Sequence, residues 1–389
     1  MKSLAVITTT RADYGIYQPL LRRLLADQKV ELRLVVSGTH LSEAHGMTVH
    51  EIEDDGMPID VRIPILTSGD SEYDVSLAMA AALTGMAAYL CRRRPDMAMV
   101  LGDRSETAAF AQALVNARVP IAHLHGGETT EGAIDECYRH CITKMSYLHF
   151  ASNKEYARRI IQLGEDPARV FDVGALGVEN ALHEKLLSLA QLQHQLGKRA
   201  LGRPRYAVVT FHPVTLESQS CIDQCRELQC AMDFYPDVGF LCTMANADAG
   251  GNAINRCMQT YAEHSEHVQL VASLGMQCYL SVLKHAAFVL GNSSSGIIEA
   301  PAFGVPTINI GDRQKGRMQA SSILNCAPNR EAICQAIEKA LSDSFVQQAR
   351  HTLNPYGDGN TSEKIVAVLY RFLFAESIDL KKPFFNIKF

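Results

Sequence analysis

An excess of positive charge is the first thing this sequence lacks. It carries 37 Lys and Arg against 42 Asp and Glu, a formal net charge of −5. No global basic field therefore argues for DNA, RNA or an anionic membrane as partner. A small anionic ligand is not excluded, because a local arginine cluster does not need a basic protein. Long apolar runs are also lacking, and none approaches the ~18 residues that span a bilayer. The opening "MKSLAVITTTRADYG" has only a short apolar stretch, no small-residue cleavage site, and leads straight into a motif. It reads as a strand rather than a signal peptide, and the expected location is cytoplasmic. Cysteines number eleven, but paired spacings are absent. An odd number scattered through apolar segments reads as reduced core residues. "CIDQCRELQC" has neither C-x2-C spacing nor nearby histidines, so it reads as a helix face and not as a zinc site. Low-complexity tracts and short-period repeats are missing as well.

What is present is an ordinary globular composition, 47% hydrophobic and 20% charged, over a length that suits two domains better than one. Short β-rich runs alternate with helical stretches. Residues 4–10, 31–38, 97–103, 119–127 and 148–152 read as strands, with a helix from about Gly15 to Ala26. After a polar helical connector at 186–199 the alternation restarts, with strands at 206–213, 238–243, 267–273, 287–294 and 305–312. Apolar runs spaced by helices imply an α/β protein with parallel sheets covered on both faces. Residues 363–376 read as an amphipathic helix. The apolar stretch 75–90 reads either as an interface helix or as a buried core helix. Two doubly wound units in tandem suggest a cleft, with ligands beyond the carboxyl ends of the strands.

The chemically loaded stretches fall at those strand ends. In "TTTRADYGI", Arg11 and the start of a helix make a plausible phosphate site; equally, Asp13 is a helix cap and Arg11 a surface charge. In "FVLGNSSSGIIEAP" a strand ends, serines follow, and Gly296 opens a helix with Glu299 one turn inside. Serine hydroxyls and unpaired amides can cradle a diphosphate there, and a carboxylate can accept from ribose hydroxyls; serines as plain N-caps are the alternative. His212 ends a strand in "VTFHPVT", either as a satisfied structural group or as a donor to a departing oxygen. "VLGDRSE" and "AHLHGGETTEGAIDECYRH" crowd Asp103, Glu128, Glu131, Asp135 and Glu136 into strand ends. Carboxylates sharing a site have pKa values pushed apart, so one can act as base and another as acid. A capping and salt-bridge cluster is the competing reading.

Taken together, "RADYG", "VLGDRSE", "HGGETTEGAIDE" with "RHCITKMS", "IQLGE", "VGALGVENAL", "FHPVT", "NADAGGN", "GNSSSGIIEAP" and "INIGDRQKGR" resemble the hydrolysing UDP-N-acetylglucosamine 2-epimerases of sialic acid biosynthesis, over nearly the whole chain. The resemblance implies two Rossmann-like domains in the GT-B arrangement, with the active site in the interdomain cleft. The first domain would cover residues 1–178, joined by a C-terminal helix at 362–389, and the second residues 179–361. The implied reaction converts UDP-N-acetylglucosamine and water to N-acetylmannosamine and UDP, through elimination to 2-acetamidoglucal and then hydration. No metal, nicotinamide or other cofactor is implied.

Residue by residue, the resemblance makes Asp103 and Asp135 catalytic acid/base groups. It places Arg11, Arg104, His212, Ser293, Ser294 and Arg313 on the diphosphate and Glu299 on the ribose, and it makes Gly15, Asn246 and Leu274 further nucleotide contacts. One position departs from the pattern. Many members have a catalytic Glu in His-x-Glu-Gly-Gly-Glu, and here His125 stands in its place. Either His125 takes over that duty, with Glu128 as its partner, or Glu128 or Glu131 moves in. The nearest rival acts on UDP- or GDP-linked 2,4-diacetamido sugar in legionaminic acid biosynthesis. A GT-B glycosyltransferase and a non-catalytic nucleotide-sugar sensor are more distant. The expected partners are the UDP-sugar and UDP, with no nucleic acid or membrane, in a homodimer or homotetramer.

Overall fold

A computed structural model of the chain describes residues 1–387 apart from 68, 70, 132, 215–219, 246–249 and 273. The chain divides into two compact units. One comprises Met1–Glu128, Asp135–Asn180 and Tyr356–Phe389; the other comprises Thr129–Ile134 and Ala181–Pro355.

The first unit is built on β1 (Lys2–Thr8), β2 (Val30–Ser37), β3 (Ile59–Ile63), β4 (Met97–Leu101), β5 (Ile121–Leu124), β6 (Leu148–Ala151) and β7 (Val170–Asp172). They form a parallel seven-stranded sheet in the order β3-β2-β1-β4-β5-β6-β7. Alternate residues of β1 serve opposite faces. Leu4 and Val6 join a core with Leu20, Leu24, Ile365 and Leu369, while Ala5 and Ile7 join one with Met86, Phe110 and Leu114. Each such buried aliphatic side chain contributes roughly 1.5–3 kcal/mol, which is why both faces must be covered by helices.

The second unit repeats the plan with β8 (Arg205–Thr210), β9 (Val238–Thr243), β10 (Val268–Val271), β11 (Phe288–Gly291), β12 (Thr307–Ile310) and β13 (Ile323–Cys326). The order is β10-β9-β8-β11-β12-β13, again with opposite faces of β8 in separate cores. In each sheet the order reverses beside the first strand, and such a switch point is where α/β sheets bind ligands.

β3, β7 and β13 have no counterpart among the sequence expectations. They lie at sheet edges and only Ile63 among their residues is buried. An edge strand lacks the continuous apolar run that marks an interior one.

The first helix runs Arg11–Ala26, not from Gly15. Thr10 and Asp13 form a capping box that starts it four residues early. Gly15 therefore lies within the helix. Pro19 sits four residues on and has no N–H to give to the Gly15 carbonyl. The Asn180 amide supplies the missing donor at 2.8 Å. The long helix Glu72–Arg92 buries Ala82, Met86, Tyr89 and Leu90 but leaves Tyr73 71% exposed. It is thus a surface helix, neither wholly core nor wholly free. It is also long and apolar enough by length and composition to cross a membrane, which corrects the expectation that no segment reaches that size.

The C-terminal helix Thr361–Leu373 packs in the first unit through Ile365, Leu369 and Leu373. It ends well short of residue 389. Beyond it, Lys382 Nζ donates to the carbonyls of Lys144 at 2.8 Å and Ser146 at 2.6 Å and pairs with buried Glu165 at 2.6 Å. Burial opposes ionisation of Glu165, yet hydrogen bonds from His149, Lys144 and Lys382 outweigh it and hold the carboxyl down at about 2.

Two outcomes follow from these contacts. Asn180→Leu leaves the Gly15 carbonyl without its donor, and urea denaturation should show a loss of roughly 1–3 kcal/mol. Glu165 stabilises the fold fully above its ordinary carboxylate pKa, and that contribution fades as pH falls from there through about 2. Thermal melts of Glu165→Gln should therefore lie below wild type near neutrality and converge on it in strong acid.

Candidate active site

The pairing of β4 with β5 aligns Leu101 with Leu124. The residues just beyond, Gly102-Asp103 and His125, therefore emerge side by side. His125 has φ +64°, a left-handed backbone that few non-glycine residues adopt. Its Nδ1 lies 2.6 Å from Glu128 Oε1, and the Ser152 hydroxyl donates to the same oxygen at 2.7 Å. A carboxylate oxygen only accepts, so Nδ1 carries a proton, and in the neutral ring Nε2 keeps the lone pair. Glu128 is 1% exposed.

Arg139 makes this burial of charge tolerable. Its side chain is fully buried on the helix Asp135–Met145. It bonds Asp103 and lies 3.8 Å from Glu128 Oε2 and 3.5 Å from Glu136 Oε2. One guanidinium thus serves three carboxylates brought from two strand ends and a helix. Sequence reasoning quoted the segment but assigned Arg139 no role. The available signal was its spacing: Asp135 and Arg139 are four apart and share a helix face. Asp135 opens that helix. Glu131 departs from this group. It belongs to the second unit, where a side chain on Gly316 would run into it.

Arg104 directs its Nε to Glu106 at 2.6 Å and stands just before the helix Ser105–Asn116. Arg11 is the first residue of its helix; burial lowers its pKa, with Glu51 opposing. Asp13 is a structural cap. Its carboxylate accepts from the Thr8 hydroxyl at 2.6 Å and from the Thr9 and Thr10 amides at 2.9 Å.

In the second unit the organising residue is Asn292, fully buried at the end of β11. Its Oδ1 accepts from the His212 amide at 2.7 Å and its Nδ2 donates to the His212 carbonyl at 2.8 Å. Its own carbonyl accepts from Arg313 at 3.2 Å and Gln314 at 2.8 Å. His212, Arg313 and the serines are therefore gathered around one amide that sequence reasoning passed over. Gly291, at φ +135°, presses against the Thr210 carbonyl where no Cβ would fit.

The helix here is Ser294–Ile298, so Ser294 opens it and Gly296 does not. Ser293 caps it, accepting from the Ser295 amide. Glu299 follows the helix rather than lying one turn inside it; it is nearly buried. Tyr279 belongs to this group too. Burial raises its pKa, as does the Glu299 carboxylate, while hydrogen bonds with Ser295 and Thr210 oppose. Leu274 immediately precedes the helix Gly275–His285. Asn246 lies outside the described residues. Among the described residues no group of three or more His, Cys, Asp or Glu is placed to hold a metal ion.

Residues 22–370 match the UDP-N-acetylglucosamine 2-epimerase family. The chain belongs to that family. It is 37% identical to the polysialic acid biosynthesis protein P7 of Escherichia coli, covering 100% of this chain and 98% of that one. It is 35% identical to the hydrolysing GDP/UDP-N,N'-diacetylbacillosamine 2-epimerase of Campylobacter jejuni, covering 99% of each. The fold matches that of the Neisseria meningitidis UDP-GlcNAc 2-epimerase bound to UDP-GlcNAc, with a TM-score of 0.81 at 16% identity over 95% of this chain and 100% of that one. The two doubly wound sheets thus have the GT-B type of architecture found in the family's solved structures.

Within this family member, Arg139 is the residue whose loss should be felt most. Arg139→Met leaves its carboxylates without their shared cation. Urea denaturation should show a loss of roughly 3–5 kcal/mol at neutral pH.

Proposed function

We propose that the chain is a hydrolysing 2-epimerase that converts UDP-N-acetylglucosamine and water to N-acetylmannosamine and UDP. The observation that carries this reading is the His125–Glu128 pair, set beside Asp103 through Arg139. A proton on a sugar C2 is only weakly acidic, so its removal needs a base held close and in a fixed tautomer. His125 meets that need: Glu128 occupies Nδ1, and Nε2 is left to accept or return a proton.

In this reading one base takes the C2 proton, the C1–oxygen bond breaks, and UDP departs, leaving 2-acetamidoglucal. Water then adds at C1 while a proton returns to C2 on the opposite face, which inverts that carbon. Asp103 and His125 are assigned the two proton transfers, with Asp135 as a further acid/base group at the start of its helix. General acid–base help of this kind is worth roughly 10²–10⁴-fold per group. The strand-end group of the second unit, His212, Ser293, Ser294 and Arg313, is assigned the diphosphate, and Glu299 the ribose. His212 is pinned through its backbone by Asn292, and its imidazole is assigned to the departing oxygen.

A second substrate is favoured by the similarity to the Campylobacter jejuni enzyme, which acts on GDP/UDP-N,N'-diacetylbacillosamine. The chemistry at C1 and C2 is the same for both sugars, so the acid–base residues do not discriminate.

Purified protein incubated with each sugar nucleotide in heavy water decides between them. The expected result is UDP release from UDP-N-acetylglucosamine and N-acetylmannosamine bearing deuterium at C2. His125→Ala and Glu128→Gln should each lower kcat by roughly 10²-fold or more. Full turnover in either variant overturns the assignment of that pair, and glycosyl transfer without deuterium at C2 overturns the reaction.

A further inference from the structure

We infer that His123 is a positioning residue that holds the segments bearing Asp103, His125 and Arg139 in one register. The inference rests on the epimerase reading for what those residues do, but its geometry stands independently.

His123 lies on β5, where its neighbours Ile121, Ala122 and Leu124 are apolar and buried. A fully buried imidazole at an interior strand position is out of keeping with that run. Its Nε2 lies 2.8 Å from the carbonyl of Gly102, the residue immediately before Asp103. Its Nδ1 lies 3.3 Å from the hydroxyl of Thr143, four residues after Arg139 on the same helix. The backbone at Gly126, next to His125, leans on the same pair: a Cβ there would sit 2.9 Å from His123 Nδ1 and 3.0 Å from Thr143 Oγ1. One ring therefore bonds two separate stretches of chain and lies close against a third, each next to or one helical turn from a residue of the ionisable cluster.

The tautomer follows from the partners. A carbonyl only accepts, so Nε2 carries the proton, and in the neutral ring Nδ1 accepts from the Thr143 hydroxyl. Both ring nitrogens are then satisfied without a buried charge. Burial supports this, holding the His123 pKa down at about 3, with the Gly102 carbonyl opposing. The ring does not touch the reacting groups. It acts through Gly102, whose φ of +78° turns the chain from β4 into Asp103. Misplacement of a catalytic group by an ångström can cost about 10²-fold in rate, so a fixed link from β5 to this turn has a direct chemical consequence.

The test compares His123→Leu, His123→Gln and Thr143→Val with wild type, by UDP release, C2 deuterium incorporation and thermal melting. His123→Leu should lose about 10²-fold in kcat with KM changed less than about three-fold, because the nucleotide-binding groups are untouched. His123→Gln keeps a donor near the position of Nε2 and should recover most of that loss. Thr143→Val removes the partner of Nδ1, keeps the contact with Gly102, and should fall between them. The inference is overturned if folded His123→Leu keeps wild-type kcat, if its defect lies in KM, or if Gln rescues nothing. Should His123→Leu not fold, Thr143→Val with wild-type kcat overturns it instead. Should wild type itself release no UDP, the epimerase reading fails alone. Hydrogen exchange then decides the positioning role: faster exchange at residues 102–105 and 126–128 in Thr143→Val supports it, and unchanged exchange overturns it.

Discussion

The ionisable cluster beyond the carboxyl ends of β4 and β5 depends on one buried guanidinium. Arg139 gathers Asp103, Glu128 and Glu136 at a place where each carboxylate alone would be costly to bury. An arginine suits this because its charge cannot be neutralised by burial and its planar fork presents several donors at once. A histidine or lysine in its place could shed its proton and leave the carboxylates to repel one another. With the cation in place, Glu128 orients His125, and Asp103 is tied to the helix Asp135–Met145 through Arg139. The strained backbone of His125 is tolerated because the ring is tied on one side by Glu128.

The second unit solves a different problem with a neutral group. Asn292 uses both ends of its amide on the His212 backbone and offers its carbonyl to Arg313 and Gln314. Asn292 carries no charge itself, and it ties Arg313 to the end of β11 beside the serine-bearing helix start.

Local signals were legible where they were strong and interior. The apolar runs of β1, β4, β5, β8 and β11 stand out because both faces of a parallel sheet are buried. Edge strands β3, β7 and β13 did not, since half-exposed residues carry no such run. The helix start at Arg11 was misplaced because Asp13 was weighed as a cap without Thr10, whose side chain completes the capping box. The start at Ser294 was displaced in the same way, with Ser293 as cap. Arg139, Asn292 and His123 were passed over for a common reason. Each sits inside an element whose local pattern already has an explanation, and its partners are remote in sequence.

The sequence by itself determined the α/β alternation, the location of ionisable groups at strand ends, and the family. Those properties depend on periodicity, on turn residues and on the order of motifs, which are all written along the chain. Only the tertiary structure decided which charged group answers which. Parallel strand pairing is non-local, so residues 21 apart, such as Gly102 and His123, or 80 apart, such as His212 and Asn292, become hydrogen-bonded neighbours only once register is set. The protonation state and orientation of each side chain follow from those neighbours and from burial, and neither exists until the sheet has formed.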